Sequence, residues 1–121
     1  IKFKGIVQRE EVYKALSRSL FYVNISLWEG LSVADLEAAA IGVMPLLSDI
    51  PERRVIGKVA GLDLLNVGDV NRWRQTIIGA RKQSVAREAA RSMAVSKAIL
   101  AKFSLESSVV AYSNIHQTID K

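Results

Sequence analysis

Two short apolar runs, separated by one segment of helix length, constrain the fold of this chain more than anything else in its sequence. Residues 20–25 (LFYVNI) are aromatic and β-branched, which predicts a buried strand. Residues 43–47 (VMPLL) predict a second, in which Pro45 offers no donor to the ladder. Between them Ser32 reads as an N-cap and Asp35 suits the positive end of a helix dipole. Val33, Leu36 and Ala40 make one apolar stripe on that helix, and Gly42 ends it. Strand, helix and strand in this order suggest a parallel sheet with helices on its faces, where strands carry apolar runs without strict alternation.

The same alternation continues on both sides. Residues 1–3 are β-prone and stop at Gly5. Residues 10–19 read as a helix, with Val12, Ala15, Leu16 and Leu20 at helical spacing and Glu10 and Glu11 at its N-terminus. Pro51 opens a short helix through Ile56, and residues 62–65 predict another short strand. Asp69 or Asn71 caps a long helical region, whole or broken once, that ends near Ala101. Ser104 caps a last helix with Leu105, Val109, Tyr112 and Ile119 on one face, and with His116 as a structural or exposed residue. At 121 residues the chain has the size of one domain, and its opening on Ile1 leads us to expect a fragment.

Composition removes several function classes. Half the residues are hydrophobic and a quarter charged, as in a packed chain rather than a disordered one. No uncharged apolar run approaches the roughly 20 residues that a membrane-spanning helix needs. With no cysteine, disulfides and thiolate metal sites are excluded, and the single histidine excludes any two-histidine site. The net charge of +5 is uneven: between Arg72 and Lys102 stand eight basic residues and one acid, Glu88. Such a segment suits nucleic acid, anionic lipid or an acidic partner, or is simply a solvated helix face. Without aromatic interleaving or a nucleic-acid motif, we expect no nucleic-acid partner.

The loop between the first strand and its helix is where a ligand is expected, because open parallel sheets bind beyond the carboxyl ends of their strands. Residues 26–32 (SLWEGLS) enter a helix N-terminus whose free amides at Ser32, Val33 and Ala34 suit a phosphate. Gly30 allows a ligand close to the backbone. Two carboxylates bracket the loop, Glu29 before the helix and Glu37 in its second turn, where it could accept hydrogen bonds from a diol such as a ribose. The plain alternative is an exposed loop acid and a solvated helix residue. Trp28 is expected to pack at the base of the loop and Trp73 against the core. Arg53 and Arg54 read as a surface pair.

Residues 26–49 (SLWEGLSVADLEAAAIGVMPLLSD) resemble the nucleotide-sugar signature of glycosyltransferase family 4, which spaces two glutamates with seven residues between them. FKGI at 3–6, EVYKAL at 11–16, SDIPERRVIG at 48–57, VGDV at 67–70 and the Phe103–Ser104 pair extend the likeness over most of the chain. The resemblance implies an α/β fold with a Rossmann-like three-layer parallel sheet and helices on both faces. That sheet would be the later part of the C-terminal, donor-binding domain of a GT-B enzyme, with the acceptor-binding domain absent. It implies transfer of a sugar, with retention, from a nucleotide diphosphate sugar to a glycan or lipid-linked acceptor, generally without a metal or other cofactor. By the same likeness Glu29 lies against the donor sugar as the catalytic-site acid. Glu37 holds the ribose hydroxyls, Gly30, Leu31 and Ser32 hold phosphate or sugar oxygens, Val33 adds its amide, and Glu52 lies near the donor. A cytoplasmic enzyme, peripheral on the inner membrane face, follows from the family, and this chain alone is expected to be inactive.

Other functions remain open at this stage. A non-catalytic module of the same fold would bind a nucleotide or a protein. A phosphorylated receiver domain needs an acidic cluster at the first strands, which IKFK at 1–4 does not supply. A glycosidase would place Glu29 and Glu37 on either side of a sugar.

Overall fold

The computed structural model describes residues 2–111. Its elements run α1 (Arg9–Leu16), β1 (Phe21–Asn24), α2 (Val33–Ile41), β2 (Met44–Leu47), a 3-10 turn (Pro51–Arg53), α3 (Arg54–Ala60), α4 (Val70–Arg81) and α5 (Val85–Phe103). Residues 105–111 are helical again. The fold is mixed α/β, and β1 and β2 pair in parallel with Phe21 opposite Met44 and Asn24 opposite Leu47.

Helix α2 makes the crossover that parallel strands require. Ser32 starts it, its hydroxyl accepting the Asp35 N–H at 3.4 Å. Gly42 ends it in the left-handed region at φ +92°, which lets the N–H groups of Gly42 and Val43 return to the Ala39 and Ala38 carbonyls. Ala38 and Ala39 are fully buried, and α5 packs against α2 there, tied by the Ser96 hydroxyl to the Ala40 carbonyl at 2.8 Å.

The sheet is smaller than the alternation suggested: among the described residues it holds two strands. Residues 62–65, expected as a strand, contribute one parallel bridge, Leu65 to Ser48. Gly61 ends α3 at φ +62°, the Leu62 N–H turns back to the Gly57 carbonyl, and the next turn already begins at Asn66. Too little chain is left to extend. Residues 2–3 are irregular, Phe3 is exposed, and Ile1 lies outside the described residues.

Strand β1, expected to be buried, is half-buried with Val23 exposed, because among the described residues β2 is its one neighbour. All four residues of β2 are buried. Helix α1 stops at Leu16 rather than Ser19; the hydroxyls of Ser17 and Ser19 bond the Lys14 and Ala15 carbonyls and turn the chain toward β1.

Two apolar clusters form the core. Met44 and Leu47 of β2 meet Ala39, Ile56, Val95 and Ile99, while Leu46 meets Leu65 and Trp73 of α4. Each fully buried aliphatic side chain contributes about 1.5–3 kcal/mol. Trp73 packs as expected, its indole N–H donating to the Asn66 carbonyl at 2.9 Å. The long helical region is broken at residues 82–84, where the Ser84 hydroxyl caps α5 by accepting the Arg87 N–H. Leu105 and Val109 are exposed; Tyr112, His116 and Ile119 lie outside the described residues. Among the described residues no helix is long and apolar enough to cross a membrane.

Candidate functional site

The parallel order of β1 and β2 puts both strand ends, the loop after β1 and the first turn of α2 at one end of the sheet. Gly30 is exposed, and a Cβ built on it would meet nothing within 4 Å, so space is open before the backbone. Leu31 and Val33 are exposed, while the half-buried Ser32 is held by its cap. The amides of the first helical turn precede any intrahelical partner, and the dipole of α2 adds to them. Trp28 does not pack at the base of the loop: it is 81% exposed. Leu27 beside it is also exposed, so the rim of the loop is apolar and unpacked.

The two glutamates have separate surroundings. Glu29 receives the Asn24 side-chain amide at 3.4 Å, and its Oε1 stands 3.6 Å from Nη2 of Arg53. Glu37 faces α1 instead. Its Oε1 accepts from Nη2 of Arg9 at 2.5 Å and from the Tyr13 hydroxyl at 2.9 Å. The Arg9 guanidinium also lies over the Tyr13 ring, 5.3 Å from its centre. The Tyr13 hydroxyl first, and Arg9 second, hold the Glu37 carboxyl below the usual carboxylate range. Beside this triad runs an open groove of about 530 Å³ between α1 and α2, lined by Tyr13, Lys14, Ser17, Glu37, Ala40 and Ile41. Glu37 is thus neither free nor merely solvated, and the carboxylate that would hold a diol is oriented by two donors from a different helix.

The structure also assembles a group that sequence reasoning missed. Arg53 is not a surface residue. Its side chain is fully buried, and Nε bonds the equally buried Asp35 at 2.7 Å. Its Nη1 reaches the Asn24 carbonyl at 3.3 Å and the Ser48 hydroxyl. Ser48 in turn donates to the Ser26 carbonyl at 2.6 Å. Asp35 accepts further from the Tyr22 hydroxyl and the Asn24 amide, both at 2.9 Å. Burial, together with the neighbouring Asp35 charge, pushes the Tyr22 hydroxyl up to about 12. Asp35 therefore does more than complement a dipole. It is the buried counter-ion of an arginine 18 positions on, a pairing for which no local spacing rule exists. Arg54 does behave as a surface residue, pairing with the exposed Asp49 at 2.9 Å.

Among the described residues, no group of three or more His, Asp or Glu side chains could hold a metal ion. Compared with protein-family models, with curated proteins and with solved structures, the chain matches none.

Proposed function

We propose that this chain is the donor-binding part of a retaining glycosyltransferase that moves a sugar from a nucleotide diphosphate sugar to a glycan or lipid-linked acceptor. The observation that carries the reading is an open glycine loop, bearing Glu29, that feeds the N-terminus of a parallel crossover helix, with Glu37 further along that helix. A diphosphate suits the amides and dipole at the start of α2. A ribose diol suits a carboxylate held ionised by Tyr13 and Arg9. In this reading the two strands belong to the Rossmann-like three-layer sheet of a GT-B donor domain. Glu29 meets the donor sugar, and Gly30, Leu31, Ser32 and Val33 meet phosphate or sugar oxygens. Catalysis would rest on positioning and on stabilising the leaving diphosphate, with the acceptor brought by a domain outside this chain. The basic stretch from Arg72 to Lys102 fits a peripheral place on the inner, anionic membrane face of the cytoplasm.

Calorimetric titration of the 121-residue chain with UDP-, GDP- and ADP-sugars tests this. At least one should bind, and Glu37→Ala should weaken it by about 30-fold, the loss of charge-assisted bonds worth about 2 kcal/mol. No turnover is expected from the chain alone. A panel in which no nucleotide sugar binds, or an unchanged affinity in Glu37→Ala, rules the reading out.

A further inference from the structure

Everything around Arg53 is satisfied except one nitrogen. Nε and Nη1 are fixed by Asp35, Ser48 and the Asn24 carbonyl, all at the ends of β1, β2 and the start of α2. Nη2 is buried and, among the described residues, has no hydrogen-bond partner. Glu29 stands beside it, its Oε1 3.6 Å away and its side chain 30% exposed. An arginine has a rigid planar fork, so fixing two of its nitrogens fixes the direction of the third. That direction leads out of the buried network to the one acid of the open loop that touches it.

We propose that Arg53 is a positioning residue that aims Glu29: a buried guanidinium, locked by Asp35 and Ser48, whose free Nη2 sets where the loop carboxylate stands. The inference deepens the donor-site reading, since Glu29 is the acid that there meets the sugar, but the geometry belongs to the ligand-free chain. A phosphate is not the group that Nη2 awaits. With Asp35 and Glu29 both beside it, the cluster carries one positive and two negative charges, which repels an anion. Nη2 itself is buried, so a ligand meets this end of the site through the exposed part of Glu29, which can accept from a sugar hydroxyl. Arg53 thereby sorts the two ends of the site, phosphate toward the α2 amides and hydroxyl toward Glu29.

Backbone amide nitrogen relaxation of the 121-residue chain without ligand, measured by NMR, reads the positioning directly. Arg53→Lys keeps a charge for Asp35, but one ammonium cannot also reach Ser48, the Asn24 carbonyl and Glu29. Order parameters of residues 27–31 should then fall by about 0.2, while those of α5 stay unchanged. Glu29→Gln, which leaves the buried network whole, should lower the same order parameters, and it decides the matter if Arg53→Lys does not fold. Loop order parameters within about 0.05 of the parent in the folded variants overturn the proposal. Titration with UDP-glucose and GDP-mannose separates the two ideas. If the parent chain binds neither, the donor reading loses its support while the loop order parameters still decide on Arg53. If the parent binds one and Arg53→Lys binds it equally well with an unchanged loop, the positioning role falls and the donor reading stands.

Discussion

The buried Asp35–Arg53 pair gives the sharpest stability test. Both side chains are fully buried, and Nε meets Oδ2 at 2.7 Å. Removing either partner strands the other charge in a low-dielectric interior, which costs about 3–5 kcal/mol. Asp35→Leu should cost the more of the two, about 4 kcal/mol, because the Tyr22 hydroxyl and the Asn24 amide also lose their acceptor. Arg53→Met should cost about 3 kcal/mol, since Asp35 keeps those two donors. Against the roughly 5–15 kcal/mol of a native domain these are large losses. The double variant Asp35→Leu/Arg53→Met strands no charge and should lose about 2 kcal/mol, well below the sum of the singles. Urea unfolding followed by circular dichroism and tryptophan fluorescence measures all four corners of the cycle. The fluorescence change reports Trp73, which is 8% exposed, more than Trp28, which already faces water. A double variant whose loss equals the sum of the singles within about 0.5 kcal/mol would refute the coupling.

Two further outcomes are expected. Tyr22 is raised to about 12 by burial and then by Asp35, from an ordinary value of 10.0, so folding binds its proton more tightly. The stability this gives is complete below pH 10 and is lost as pH rises toward 12. Tyr22→Phe should therefore flatten the alkaline limb of a stability-against-pH curve, and an unchanged limb counts against the assignment. Gly42→Ala should cost about 1–2 kcal/mol in urea unfolding, because φ is +92° there. The cost is conformational, since a Cβ would meet nothing within 4 Å, so an unaffected midpoint would contradict the left-handed cap.

Legibility in the sequence followed the range of the interactions. Ser32, Gly42, Asp69 and the parallel pairing across α2 rest on caps, turns and short apolar runs, all local, and they stand in the structure where the residues indicated. The strand at residues 62–65 failed for a reason that is local too, but it lies in the left-handed turn at Gly61 rather than in the apolar pattern. Arg53 failed for the opposite reason. Next to Arg54 and two residues after Pro51 it has the look of a surface cation, and only the approach of Asp35, Asn24 and Ser48 from three other segments makes burial tolerable. Arg9 and Tyr13 were likewise invisible as partners of Glu37, 28 and 24 positions away. Nothing in an isolated stretch of chain encodes such a meeting.

A two-stranded parallel sheet has little apolar support to give its own ends, since β1 is only half-buried. The polar network supplies that support instead. Ser48 holds the start of the loop at Ser26, Asp35 holds the first turn of α2, and Arg53 joins them. Buried ionic pairs add little net stability, but they do tolerate only one arrangement of their partners. The rim above them, Leu27, Trp28, Gly30 and Leu31, is exposed. A fixed polar floor beneath an open loop is the division of labour that ligand positioning demands, because the groups that orient must stay while the groups that admit the ligand need room. Hence substitutions in the floor should act on stability and on the aim of Glu29 together, whereas substitutions at Leu27 or Trp28 should leave the fold as stable as before.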